Sequence, residues 1–111
     1  MTREYTYGCP RVGDAAFVKA FSDLATSTDA DVYRVTHRDD VVPHLPEEAL
    51  GYLHMPHEMW QADATDPALT DCADSATSED DACSNSCSPF SCVSKADHLS
   101  YLGLVQGING C

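Results

Sequence analysis

Two adjacent acids close the apolar-alternating run in RVTHRDDVVPHLP, residues 34–46. A carboxylate at the tip of a strand can orient an imidazole, fix its tautomer and stabilise it once protonated. In open sheets flanked by helices, reactive groups collect beyond the carboxyl ends of the strands. Asp39 and Asp40 are therefore candidates, set against the ordinary use of aspartate as a turn residue. His98, in ADHLSYLG, is the candidate base that one of them would serve. Asp before His is also the chain order of the last two members of a Ser…Asp…His triad.

Such a triad needs a serine on a strained G-x-S-x-G elbow. The glycines at 8, 13, 51, 103, 107 and 110 begin or end no such pentapeptide, and no glycine run is present to form an oxyanion hole. Cysteine offers a second chemistry. Cys83, Cys87, Cys92 and His98 read C-x3-C-x4-C-x5-H, four ligand types suited to tetrahedral zinc. That spacing matches no two-residue knuckle, and composition favours disulfides over a metal. His54 and His57 in HMPH are separated by Pro56, which breaks any helix that would put both rings on one face. The tripeptide HRD, residues 37–39, lacks the downstream Asn and the Gly-rich loop of a phosphoryl-transfer site.

These groups need elements to position them. REYTYGC (residues 3–9) alternates as a strand. Asp14 is an N-cap for AAFVKAFSDLATS, in which Phe17, Phe21 and Leu24 fall at helical spacing and read as a core-facing stripe. DADVYRVTH (residues 29–37) is a second strand, so the first third of the chain reads as a parallel strand-helix-strand unit. GYLHMPHEMWQ is an extended aromatic stretch. Residues 62–97, rich in Asp, Ser, Thr and Cys, form a long loop of the kind that is functional, stapled or disordered. ADHLSYLGLVQGI then predicts a helix capped by Asp97, with Leu99, Leu102 and Val105 on one side.

The bulk properties bound the rest. At 111 residues the chain is one domain at most. Eighteen acids against six Lys and Arg give a net charge of −12, which a phosphate backbone or anionic membrane would repel, so nucleic acid is not an expected partner. No window approaches a transmembrane span. Six cysteines, four of them between Cys72 and Cys92, point to an oxidising compartment or a metal site. No signal peptide opens the sequence, which suggests a missing N-terminal portion.

Together YTYGCPRVGDAAF, YRVTHRDDVVPHLP, GYLHMPHEMW and DHLSYLG resemble, in order, motifs in the C-terminal part of the fungal class 3 lipases and feruloyl esterases. The resemblance implies a partial α/β-hydrolase fold, with residues 1–111 a C-terminal fragment of a single domain. It implies carboxylic ester hydrolysis, triacylglycerol before smaller esters, by a Ser-His-Asp triad. Asp40 falls on the family's catalytic Asp and His98 on its catalytic His. Asp39 stands where the family usually has Asn, so an extra charge would sit beside the triad acid. Asp14 likewise replaces an Asn, and Cys9 reads as a small buried thiol. The Ser elbow and oxyanion residues would lie upstream, so this chain alone would be inactive, and no cofactor or metal is called for. The resemblance further implies secretion, a local Cys72–Cys83 disulfide, and a Cys111 whose partner lies in the N-terminal region. Cys87 and Cys92 are candidates for another bridge. The competing expectation is a stand-alone Cys-rich binding or structural domain, with zinc as an option.

Overall fold

In a computed structural model the described residues are 1–87 and 91–107, and Cys111 lies outside them. Strand β1 (Thr2–Tyr7) leads through helix α1 (Ala15–Ser27) to strand β2 (Ala30–His37). β1 and β2 pair in parallel from Thr2↔Ala30 to Tyr7↔Val35. Strand β3 (Glu58–Gln61) adds in parallel on the far side of β2, and β4 (Thr70–Asp71) closes that edge antiparallel. The sheet order is therefore β1-β2-β3-β4. Asp14 caps α1, its carboxylate accepting from the Phe17 amide at 2.9 Å.

The helical stripe behaves differently from expectation. Val18 is fully buried, but Phe17 and Leu24 are 41% and 61% exposed, and Phe17 stacks instead on Phe21 at 6.4 Å. Helix α1 packs on β2, and of its apolar positions Val18 is the one sealed there.

The C-terminal segment departs further. A single turn, α2 (Lys95–His98), is capped by Ser94 rather than Asp97, and the chain then makes a hairpin of β5 (Ser100–Tyr101) and β6 (Leu104–Val105). Leu102 and Gly103 at its tip have φ of 51° and 79°. Two consecutive positive values match the right-handed twist of a tight hairpin and are incompatible with a continuing α-helix.

The interior is unusually polar. Among its largest fully buried side chains are Arg34, Gln61, Glu58 and Asp40. Burial on this scale requires pairing. Arg34 reaches Asp74 at 3.2 Å and Glu58 at 3.7 Å, while Thr36 donates to Glu58 at 2.6 Å. Asp74 in turn accepts from the His57 and Glu58 amides. A second network fastens the long loop. Arg11 grips Glu79 through two bonds of 2.8 Å and donates to the carbonyls of His44 and Pro46. Glu79 also accepts from the His54 amide and the Asn85 side chain. Two disulfides, Cys72–Cys83 and Cys87–Cys92, staple the same loop. Cys9 is a free, half-buried thiol rather than a fully buried one.

The second network makes folding acid-sensitive. Burial by itself would raise the Glu79 carboxyl, but the Arg11 bonds, helped by Asn85, hold it well below the ordinary carboxylate range. Burial, with the Arg34 charge, lowers the His54 imidazole to about 3. Both groups bind protons more readily in the unfolded chain, so both contribute stability that is lost as pH falls. Denaturation midpoints are expected to drop from pH 7 towards pH 5 as unfolded His54 protonates, and further below about pH 4.5 as Glu79 does. A midpoint unchanged between pH 7 and pH 4 would contradict this account.

Candidate active site

Asp40 and His98, remote in sequence, meet at the carboxyl end of β2. After His37 the chain turns through Arg38, whose φ of 44° is left-handed, and the Asp40 amide closes the turn onto the His37 carbonyl at 3.0 Å. The turn delivers the Asp40 side chain inward, where it is 1% exposed. Its Oδ1 accepts from the Val42 amide at 2.8 Å. Its Oδ2 accepts from His98 Nδ1 at 2.9 Å and from the Tyr101 hydroxyl.

His98 is held by its own neighbours. The Ser94 amide donates to the Asp39 carbonyl at 3.0 Å, and the Val41 amide donates to the Ser94 carbonyl at 3.2 Å. This stitch lays the chain entering α2 parallel to the Asp40 turn. The Ser94 hydroxyl then caps α2 through the Asp97 amide at 3.0 Å. Beyond the helix, Gln106 donates to the His98 carbonyl at 3.2 Å. With Nδ1 facing the carboxylate, the neutral ring carries its proton there and leaves Nε2 as the lone pair. The His98 side chain is one-third exposed, at 33%, so the ring remains open to solvent.

Three further residues shape this pair. Gly8, at φ 64°, lies against it, and a Cβ built there would come within 2.8 Å of His98 Nδ1 and 2.9 Å of Asp40 Oδ2. Any larger residue at that position would displace the pair. His37 is packed edge-on to Tyr101 at 5.5 Å and contacts the Asp97 carbonyl through Nδ1 at 3.0 Å. Tyr101, 3% exposed, gives Asp40 a third donor, and burial with the adjacent carboxylate pushes its phenol well above its ordinary range. Sequence reasoning missed Tyr101. Its position three residues after His98, within the same DHLSYLG motif, was the available signal. Replacing Tyr101 by Phe removes a bond to a charged, buried acceptor and is expected to cost about 1.5–3 kcal/mol in denaturant unfolding. A loss under 0.5 kcal/mol would show that the hydroxyl contributes little.

The other candidates are placed apart. Asp39 is half-buried beside the pair, its amide 3.3 Å from Asp97 Oδ2. Cys83 is bonded to Cys72 and His98 to Asp40, so the C-x3-C-x4-C-x5-H residues do not form one ligand set. His54 contacts the Pro43 carbonyl and His57 the Val32 carbonyl, so the HMPH rings are committed separately. A hollow of about 310 Å³ lined by Tyr7, Tyr101, Leu102, Leu104, Val105 and Gln106 adjoins the Asp40 side of the site. A larger one of about 470 Å³ lies between α1, the start of β2 and residues 74–76, and contains neither Asp40 nor His98.

A mixed sheet, parallel from β1 to β3, with helix α1 joining its first two strands and a strand-end acid bound to a late histidine, is consistent with a partial α/β-hydrolase fold. Residues 1–50 match the family Lipase (class 3). The chain is 40% identical over 104 residues to a lipase of Rhizomucor miehei, covering 94% of this chain and 26% of that one. Solved structures agree. Lipase II from Rhizopus niveus superposes with a TM-score of 0.72 at 36% identity, over 93% of this chain and 36% of that chain. A triacylglycerol lipase in which a serine protease triad forms the catalytic centre gives 0.73 at 40% identity, over 92% of this chain and 36% of that chain. The chain is thus similar in sequence and in structure to fungal class 3 lipases. It spans about a quarter of the length of the curated relatives it matches.

Proposed function

We propose that this chain supplies the acid and base of a Ser-His-Asp triad for carboxylic ester hydrolysis, the serine coming from polypeptide outside these 111 residues. The observation that carries the reading is the 2.9 Å contact of His98 Nδ1 with a buried Asp40 that has two other donors. Such a carboxylate is fixed in place and acceptor-only, as a triad acid must be. In the assembled site His98 Nε2 takes the proton from the serine hydroxyl as it attacks the ester carbonyl. It then returns that proton to the leaving alcohol, while Asp40 stabilises the imidazolium between the two transfers.

The relatives, and the apolar hollow beside Tyr101, support a substrate class. Relatives include a triacylglycerol lipase and a secreted mono- and diacylglycerol lipase of Fusarium solani, 46% identical over 56 residues. An acylglycerol is the substrate class we assign, and secretion is the matching location, consistent with two disulfides. On this reading residues 1–111 are the C-terminal part of one hydrolase domain. The exposed outer edge of β1, with Tyr5 and Tyr7 at 49% and 44% exposure, is then where the remaining sheet adds.

The test is complementation. The isolated chain should turn over neither nitrophenyl esters nor triacylglycerol emulsions. Joined to the upstream coding sequence that carries a G-x-S-x-G elbow, it should hydrolyse both. Lipase-level turnover by the isolated chain, or none by the joined protein, would sink the proposal.

A further inference from the structure

The Cys87–Cys92 disulfide lies against a histidine that no step above uses. His44, at the end of the turn after Asp40, points Nε2 to within 3.8 Å of Cys87 Sγ, and the ligand atoms of His44, Cys87 and Cys92 all lie within 4.8 Å of one another. From these contacts the geometry points to a redox-gated metal site. When the disulfide is reduced, the two cysteine sulfurs and His44 Nε2 bind one thiophilic divalent cation of the zinc type. This proposal does not depend on the catalytic reading.

Ligand spacing is the first support. Zinc bonds of about 2.3 Å to sulfur and about 2.0 Å to nitrogen set the edges of a tetrahedron near 3.5–3.8 Å. The His44–Cys87 separation is already such an edge. Once the S–S bond is broken, side-chain rotation about Cys92 completes the triangle. C-x4-C also falls within the two-to-four-residue spacing common in zinc sites.

Preorganisation is the second. Arg11 Nη1 fixes the His44 carbonyl at 2.9 Å, and its guanidinium is itself held by Glu79. The Ser84 carbonyl lies 3.3 Å from Cys87 Sγ and 3.6 Å from Cys92 Sγ.

Room and charge are the third. The cluster lines a cleft of about 380 Å³ that also presents Glu47, Glu48 and Asp81. These three carboxylates outnumber the one cation, Arg11, whose charge Glu79 already neutralises. The cleft therefore offers negative potential and an oxygen ligand or water for the fourth position. Glu58, Cys72 and Cys83 form a comparable trio, but Glu58 there is committed to Arg34 and Thr36. The chemistry balances as two steps. A thiol or phosphine reductant supplies two electrons and, with two protons, converts the disulfide to two thiols. The cation then displaces both thiol protons.

The experiment uses the full 111-residue chain, reduced anaerobically with a phosphine and titrated with Co²⁺, then Zn²⁺. Expected is one Co²⁺ per chain with thiolate charge-transfer and tetrahedral visible bands, displaced by Zn²⁺, and absent before reduction. Cys87→Ser and Cys92→Ser should abolish the bands, His44→Ala should weaken affinity at least tenfold, and Cys9→Ser should change nothing. Alkylation and mass mapping supply a readout independent of the variants, with Zn²⁺ protecting Cys87 and Cys92 but not Cys72 and Cys83. No uptake by the reduced chain, with or without retention of its native amide spectrum, overturns the site. So does protection of Cys72 and Cys83 instead, or affinity unchanged in His44→Ala.

Discussion

Asp40→Asn, in a form of the protein that carries the nucleophile, is expected to lower kcat about 10⁴-fold while leaving KM within a few-fold. The asparagine side chain occupies the same volume, and its one carbonyl oxygen can still accept from the Val42 amide, which puts the NH₂ where Oδ2 now faces His98 Nδ1 and the Tyr101 hydroxyl. What it cannot do is accept reliably from His98 Nδ1, because an NH₂ turned to that side forces the opposite tautomer on the ring. The proton then sits on Nε2, where the lone pair is needed, and no negative charge remains to stabilise the imidazolium. The measurement is kcat and KM on a soluble ester, with ¹⁵N spectra of His98 reporting the tautomer. A fall of less than tenfold would mean that Asp40 only anchors its turn. Asp39→Asn is the matched control. Its amide and carbonyl are engaged with Asp97 and Ser94, but no bond joins its carboxylate to His98 among the described contacts, so kcat should change less than about threefold.

The contrast between these two acids bears on how far the sequence could be read. Adjacent aspartates are indistinguishable by type. Position in a motif separated them, and a left-handed Arg38 explains why the second turns inward. Strand β1, helix α1 and strand β2 were legible because alternation, an N-cap and helical spacing all agree there. The C-terminal hairpin was not. Leu99, Leu102 and Val105 satisfy a helical period, and only the positive φ at Leu102 and Gly103 excludes it. Of the two, only Gly103 advertises that freedom in its residue type. Gly8 was legible as a glycine but not as a neighbour of His98, since that contact crosses most of the chain. Long-range packing likewise decided the fate of Phe17 and Leu24. Their spacing reported a helix face, whereas burial depends on how much sheet lies beneath it.

Arg34→Met is expected to be the most damaging single change to stability, costing about 3–5 kcal/mol. Arg34 is 1% exposed at the centre of β2, and its Nη2 faces both Asp74 and Glu58, themselves 2% exposed at the side chain. Methionine restores the apolar volume but leaves two buried carboxylates without a counter-charge, which is the expensive half of a broken ion pair. It also removes the bond from Nε to the Met55 carbonyl, which ties β2 to the segment entering β3. Neutralising the acids separates these causes. Arg34→Met combined with Glu58→Gln and Asp74→Asn should recover more than half of the loss, because the amides still accept from Thr36 and from the His57 and Glu58 backbone. The surface pair Lys19–Asp23 gives the opposite limit. At 2.6 Å it is shorter than any Arg34 contact to a carboxylate, yet its side chains are 74% and 65% exposed. Lys19→Ala should leave the denaturation midpoint unchanged within error, since water already screens both charges. Equal effects of Lys19→Ala and Arg34→Met would show that contact length, not burial, sets the value of a pair. A large loss confined to Arg34 would place the stability of the Asp40 strand in its desolvated charges.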